Sequence, residues 1–218
     1  MLMINKKFYI HLGMPKTGTK FLQRNFFKNL PDFKFLGIPY EKKNFFFFNK
    51  IKKTKINKID DNFLNYIKKK IEYNYYSKFI ISDEDLIFDK HFFLRKDKDH
   101  YKINNLYKIL SQLGEVHFII ILRKYSEILQ SFWKQIVRDN ETKIYCKNNS
   151  KKLIIKSLKN KKNDNYFLEL FKYGKIYRQL KKLTNNTHIL IYEDLKFNNN
   201  IFFESLEKVL FIKKKINI

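Results

Sequence analysis

The chain opens with a short apolar run that leads directly into a glycine-bounded loop and then into a helical pattern. Phe8–Leu12 has the composition of a buried strand, and residues 13–18 after it read Gly-Met-Pro-Lys-Thr-Gly. From Thr19 to Leu30 the apolar side chains recur at close to the helical period. A strand, a tight loop and a helix in this order aim backbone N–H groups into the loop, which suits a phosphate or sulfate group. The pattern therefore predicts an α/β protein that binds such an anion beside its first strand.

Each residue type in the loop has a use in anion binding. The two glycines allow a sharp turn and a close approach of the backbone to a ligand. Pro15 restricts the loop, and Lys16 supplies a cation. The hydroxyls of Thr17 and Thr19 are predicted to donate hydrogen bonds to the ligand.

The glycine spacing is also that of the Walker A loop of nucleoside-triphosphate enzymes. That loop requires Lys and then Ser or Thr directly after the second glycine. Here Gly18 is followed by Thr19, Lys20 and Phe21. The departure counts against a kinase or ATPase, although a phosphotransferase that uses ATP and magnesium stays open as an alternative.

The run Pro15-Lys16-Thr17-Gly18-Thr19 resembles the 5′-phosphosulfate loop of sulfotransferases that use 3′-phosphoadenosine 5′-phosphosulfate (PAPS). The resemblance implies that residues 15–20 hold PAPS and that Lys16 also takes part in catalysis. In that family a second Thr or Ser commonly comes next, whereas this chain has Lys20. The exchange removes one hydroxyl donor and adds a cation.

A second match supplies the other half of a nucleotide site. Val116–Leu122 is a nearly continuous apolar run, typical of a parallel strand that is covered on both faces, and it ends at Arg123. Ser131 follows eight residues later on a predicted helix. The same family grips the 3′-phosphate of PAPS with Arg and Ser at this spacing, and the guanidinium fork suits phosphate oxygens. The family's Asp/Asn-Pro after the Arg is replaced here by Lys124-Tyr125.

A third match is the predicted strand that ends in Tyr192-Glu193-Asp194-Leu195, which is similar to a late strand of the same family. The three matches occur in the family's order and span about residues 8–211, so the resemblance covers nearly the whole chain. It implies a P-loop-like nucleotide-binding fold. The two acids are expected to order a neighbouring loop through its backbone N–H groups rather than to act in catalysis.

The predicted strand over residues 79–82 delivers three consecutive acids to the same edge of the sheet as the loop. In-line sulfuryl transfer needs a base that takes the proton of the acceptor hydroxyl. Glu84 is the candidate base, by its position in the resemblance, with Asp83, Asp85 and His11 as substitutes. An alternative with equal weight is that these acids cap the following turn. His11 lies inside the first strand and is expected to be a core histidine with its hydrogen bonds satisfied.

Alternating strands and helices predict one domain over residues 1–218, a parallel sheet with helices on both faces in three layers. Residues 31–60 are expected to be an irregular aromatic segment that packs over the core or forms an apolar acceptor wall. Residues 140–163 are expected to form a mobile loop or lid, and 212–218 a basic tail. The predicted helices cover 19–30, 61–73, 101–112, 125–139, about 165–183 and 201–210, and the later strands cover 79–82, 116–122 and 188–192.

The net charge of +25 has two explanations that the sequence leaves open. A charge of this size attracts polyanions. Lys residues are, however, scattered among Asn, Ile and Phe along the chain, as an A/T-biased coding sequence would produce, and no nucleic-acid-binding motif accompanies them. Nucleic acid is therefore not the expected partner, and a non-catalytic basic module for nucleic acid or anionic glycans is kept as an alternative.

Composition and length bear on the expected disulfides, metals, compartment and acceptor of the protein. The single Cys146 excludes an internal disulfide framework, and no spacing typical of a metal site is found, so no metal is expected. Without a leader or an apolar run long enough to cross a bilayer, a cytoplasmic protein is expected. The chain stops soon after Phe211, without the glycine-rich adenine loop of small-phenol sulfotransferases, which favours a carbohydrate or glycolipid acceptor. The alternative is a truncated or degenerate chain that binds nucleotide poorly. The sequence does not indicate an oligomeric state.

Overall fold

Five parallel strands form the centre of the part of the protein that the computed structural model describes. That part comprises residues 6–14, 16–37, 60–72, 76–87, 101–138 and 172–212. The strands lie side by side in the order β2-β3-β1-β4-β5 and every neighbouring pair is parallel. They are β1 (Lys6–Leu12), β2 (Phe33–Phe35), β3 (Lys78–Asp83), β4 (Gly114–Leu122) and β5 (Thr187–Ile191).

Helices connect the strands. The first helical segment, α1, begins as an α-helical turn (Thr19–Phe21), continues as a π-helical turn (Leu22–Phe26) and ends as a 3₁₀ turn (Phe27–Asn29). A short 3₁₀ turn, Glu84–Leu86, follows β3. The remaining helices are α2 (Asp61–Glu72), α3 (Tyr101–Leu110), α4 (Tyr125–Arg138), α5 (Tyr173–Leu183), α6 (Tyr192–Phe197) and α7 (Asn199–Leu210).

The sheet is covered on both faces because successive strand residues point to opposite sides. Phe8, Ile10 and Leu12 of β1 pack with apolar side chains of α2, α3, α4 and α5. Tyr9, between them in sequence, packs on the other face, where α1 and α7 supply the partners. The predicted three-layer α/β architecture is therefore confirmed.

The strand order places the end of β1 at the middle of one sheet edge. In the register of the sheet, Leu12 lies beside Asp83 of β3 and Ile120 of β4. Parallel strands end at the same edge, and ligands of such sheets bind there. The segments that follow β1, β3, β4 and β5 thus meet in one region.

Apart from the helix predicted over 165–183, the predicted strands and helices are confirmed to within two residues at each end. The main error is β2. Residues 31–60 were expected to be irregular, and Phe33–Phe35 instead pairs with β3 as the outermost strand of the sheet. A strand of three residues is too short to show an alternating pattern. The predicted helix over 165–183 is observed as Tyr173–Leu183, and β5 stops at Ile191 because Tyr192 already begins α6. The predicted lid over 140–163, residues 38–59 of the predicted aromatic segment and residues 213–218 of the predicted tail lie outside the described residues.

Two histidines meet near the amino-terminal edge of the sheet. His117 Nδ1 and His188 Nε2 are 3.1 Å apart, so one nitrogen donates to the other. Glu115 Oε1 lies 3.3 Å from His117 Nε2, and Lys7 pairs with the second oxygen of Glu115 at 3.1 Å. Burial lowers the pKa of both histidines, although Glu115 opposes the change. This histidine pair is therefore held neutral.

His11 is a core residue, as predicted, but within the described part of the chain only one of its ring nitrogens has a partner. Nδ1 lies 2.8 Å from Ser82 Oγ, and the Gln23 amide donates to the same hydroxyl at 3.1 Å. Nε2 is buried and makes no hydrogen bond with any described residue. Complete burial lowers the pKa of His11 to about 3.

No helix among the described residues is both long and apolar enough to cross a lipid bilayer.

The free energy of unfolding should fall as the pH is lowered from 7 to 5. Below a pH of about 6.5 the unfolded chain binds a proton at His11 that the folded chain excludes, so the folded state is favoured less. His117 and His188 act in the same direction. By pH 5 the His11 contribution amounts to about 2 kcal/mol. Urea unfolding at pH 7, 6 and 5 measures the slope, and His11→Asn should flatten it; equal slopes in the two proteins would contradict the assignment.

Candidate anion-binding site

The loop between β1 and α1 lies at the centre of the carboxyl-terminal edge of the sheet. β3 and β4 flank β1, so the turn after β3 and Arg123 after β4 stand on either side of the loop. Lys16 has a φ of 63° and Gly18 a φ of 78°. Two left-handed residues in so short a loop turn the chain sharply from the strand into the helix.

The threonine hydroxyls brace the loop rather than point out of it. Thr17 Oγ1 donates to the Met14 carbonyl oxygen at 2.8 Å, and Thr19 Oγ1 lies 3.4 Å from the same oxygen. Both threonines are buried. The Thr17 proton is therefore directed to Met14 in this conformation, and donation of these hydroxyls to a ligand stays a prediction.

The two loop glycines stand where a side chain does not fit. A methyl group on Gly13 would lie 2.9 Å from Glu84 Cγ and 2.9 Å from Thr19 Cγ2. A methyl group on Gly18 would lie 2.8 Å from Leu195 Cδ2 of α6. The loop is thus packed between the turn after β3 and the start of α6, and both contacts depend on glycine.

Arg123 joins the end of β4 to the loop. Its Nη1 donates to the Lys16 carbonyl oxygen at 2.7 Å, and its Nη2 donates to Glu127 Oε2 at 3.3 Å. The guanidinium carbon lies 4.4 Å from the centre of the Tyr192 ring. The side chain is 12% exposed, and its buried Nε makes no hydrogen bond within the described part of the chain.

The Tyr-Glu-Asp-Leu run supports both the loop and Arg123. Tyr192 and Leu195 contact Gly18, and Tyr192 also faces the Arg123 guanidinium. Glu193 Oε1 accepts a hydrogen bond from the Lys124 backbone N–H at 2.9 Å. The expected ordering of a neighbouring loop by this run is observed, and the ordered segment is the turn between β4 and α4.

Glu84 lies next to the loop and is partly accessible to solvent. It begins the 3₁₀ turn after β3, is half-buried, and its side chain reaches Gly13. Asp83 is fully buried in the sheet edge. The side chain of Asp85 lies outside the description. Asp83 and Glu84 are the acids after β3 whose side chains are described. Of the two, Glu84 is the one that lies beside the loop and is accessible to solvent.

The other predicted site residues are Lys20, Pro15 and Ser131. Lys20 is exposed in the first turn of α1, and Pro15 is outside the described residues. Ser131 is half-buried on α4, one helical turn beyond Glu127 and on the same face. No described hydrogen bond joins Ser131 to Arg123. The fold therefore brings the loop, Glu84 and Arg123 together and leaves Ser131 about two helical turns beyond Arg123.

Two residues of the site were not predicted. Glu127 comes four residues after Arg123, a spacing that favours an ion pair on a helix and could have identified it. Tyr173, at the start of α5, has a buried hydroxyl without a hydrogen bond to the described residues. Burial raises the pKa of Tyr173 to about 12; the nearby Arg123 backbone and the Arg123 charge oppose the rise, and Glu193 adds to it. Nothing in the sequence links Tyr173 to Arg123, fifty residues earlier.

No protein-family model matches the chain, and no curated protein matches it. Within the described ranges, no three His, Cys, Asp or Glu side chains are grouped so that they could hold a metal ion.

Replacing Gly18 by Ala should destabilise the protein by about 1–3 kcal/mol, because Ala at positive φ is strained and its methyl group would crowd Leu195. Gly174→Ala is the matched control. Gly174 lies in α5, has no positive φ, and the nearest atom to an added methyl group is 3.7 Å away, so Ala there should stabilise by up to about 1 kcal/mol. Urea unfolding distinguishes the two, and equal effects would show that the loop tolerates a side chain.

Proposed function

We propose that the protein is a sulfotransferase that moves a sulfuryl group from PAPS to a hydroxyl of a carbohydrate or glycolipid. The observation that carries the proposal is the hydrogen bond of 2.7 Å between Arg123 and the Lys16 carbonyl oxygen. It joins the two segments that resemble the 5′-phosphosulfate loop and the 3′-phosphate site of the family. The parallel sheet beneath them is compatible with a P-loop-like nucleotide-binding fold.

The loop has the features that a phosphosulfate group needs. Gly13 and Gly18 allow the tight turn of the loop, because a side chain at either position would meet Glu84, Thr19 or Leu195. The first N–H groups of a helix have no partner inside the helix, and α1 begins directly after Gly18. Lys16 adds a cation beside them. These groups would bind the 5′ end of PAPS, with residues 15–20 as its cradle.

Arg123 has the chemistry for the 3′-phosphate. Its guanidinium is mostly buried, so a bond to phosphate there is weakened little by water. Its Nε–H is buried without a hydrogen bond to the described residues, a donor that an added oxygen could satisfy. Ser131 lies two helical turns beyond Arg123 and would contribute its hydroxyl.

Glu84 is the proposed general base. The acceptor oxygen forms a bond to sulfur while the bond from sulfur to the phosphate oxygen breaks, and Glu84 takes the hydroxyl proton. Lys16 neutralises the charge that develops on the departing phosphate. Asp83 and His11 are fully buried, and a pKa of about 3 makes His11 a poor base. A carboxylate base is the one used by several glycan-modifying members of the family that the chain resembles, which favours a carbohydrate acceptor.

A phosphotransferase is the alternative that the loop's glycine spacing supports. Such an enzyme would bind ATP with magnesium in preference to adenosine 3′,5′-bisphosphate. A non-catalytic basic module would show steep salt dependence and no preference for a 3′-phosphate. Thermal shift with adenosine 3′,5′-bisphosphate and with ATP plus magnesium separates the three, because a sulfotransferase should be stabilised by the first ligand alone.

Lys16→Ala should weaken binding of adenosine 3′,5′-bisphosphate by roughly 1.5–3 kcal/mol, the usual value of a hydrogen bond to a charged group. Lys28→Ala is the control, since Lys28 is an exposed cation at the far end of α1. Isothermal titration calorimetry measures both. Equal affinities of the two variants would show that the loop does not bind the nucleotide.

Glu84→Gln should lower kcat for sulfate transfer to a glycan acceptor by about 10²–10⁴-fold, because the amide keeps the shape but not the basicity. Nucleotide affinity should change little. Asp32→Asn provides a control of the same charge change, at an exposed acid before β2 and at the opposite edge of the sheet. Retention of most of the activity by the Glu84 variant would reject this residue as the base.

A further inference from the structure

We propose that Glu127 is a specificity-determining residue of the nucleotide site. Its carboxylate accepts a hydrogen bond from Nη2 of Arg123, and a phosphate that binds Nε and Nη2 together must displace it. Glu127 would thereby weaken the binding of a 3′-phosphorylated nucleotide without affecting a nucleotide that has only a 5′-phosphate. The inference rests on the sulfotransferase proposal, since it concerns the same Arg123.

The guanidinium of Arg123 is held on three sides. Nη1 donates to the Lys16 carbonyl oxygen at 2.7 Å, the face lies on the Tyr192 ring at 4.4 Å, and Nη2 donates to Glu127 at 3.3 Å. The first two partners are uncharged. Among the described residues Glu127 is the one acid that pairs with Arg123.

The contact with Glu127 is the weakest of the three and the one that a phosphate can replace most easily. A charge-assisted bond between a guanidinium and a carboxylate is usually 2.7–2.9 Å long, and this one measures 3.3 Å. Glu127 is also 32% exposed, so water can solvate its carboxylate when it moves away. Tyr192 and the Lys16 carbonyl would keep the guanidinium in place while Glu127 is displaced.

A phosphate at Arg123 and the Glu127 carboxylate would repel one another within a few ångströms. The guanidinium is mostly buried, so this repulsion is screened less than it would be at a fully exposed site. Lys196 Nζ lies 4.0 Å from Glu127 Oε2 and offers the displaced carboxylate another partner. Exchange is therefore feasible but costs free energy, which lowers the affinity for the 3′-phosphate. Weaker binding at this position would help the bisphosphate product to leave.

The test is Glu127→Gln, which keeps an oxygen that can accept from Arg123 but removes the charge. Calorimetry with adenosine 3′,5′-bisphosphate should show binding that is roughly fivefold to tenfold tighter than in the wild type. Affinity for adenosine 5′-phosphate should stay within about twofold. Asp32→Asn, which makes the same charge change at the opposite edge of the sheet, should leave both affinities unchanged. The melting temperature of each variant checks that the fold is retained.

Several outcomes would overturn the inference. If Glu127→Gln leaves the bisphosphate affinity unchanged or weakens it, Glu127 positions Arg123 instead of competing for it. If both nucleotides bind more tightly to the same degree, the effect is one of overall charge. In both cases a wild-type preference for the bisphosphate would leave the sulfotransferase proposal intact. A wild-type protein that does not prefer the bisphosphate would contradict that proposal, and this inference with it.

Discussion

The burial of β1 on both faces and along both edges is the constraint on which the rest of the structure depends. β3 and β4 take up the backbone hydrogen bonds of β1 on either side, and helices cover Phe8 and Tyr9 from opposite faces. A strand enclosed in this way can present functional groups only where it ends. The loop after Leu12 is therefore the natural place for a ligand, and its neighbours are fixed by the strand order.

The loop is stabilised by contacts from three separate parts of the chain. Arg123 holds the Lys16 carbonyl, Leu195 packs on Gly18, and Glu84 packs on Gly13. Each comes from a segment that directly follows a strand. These contacts keep the two left-handed residues in place, so the loop is preorganised and little conformational entropy remains to be lost when an anion binds.

Features that depend on adjacent residues could be predicted from the sequence, whereas those that depend on tertiary packing could not. Long apolar runs such as Val116–Leu122 and the glycine-bounded loop have local patterns, so the strands, the α/β class and the loop itself were predicted. The orientation of the Thr17 hydroxyl depends on the backbone path around Lys16, whose positive φ the sequence does not reveal. The position of Tyr173 depends on how α5 packs near β4. β2 is three residues long and is defined by its pairing with β3 rather than by its own composition.

β4 has a different kind of chemistry at each end. His117, near its start, belongs to a neutral histidine pair beside Glu115, and Arg123 directly after its end belongs to the anion site. At about 3.3 Å per residue the two lie roughly 20 Å apart. Salt at physiological ionic strength screens the interaction between surface charges over that distance. Mutations at the histidine end can therefore change the acid tolerance of the protein while ligand selectivity, which is set at the other end, evolves independently.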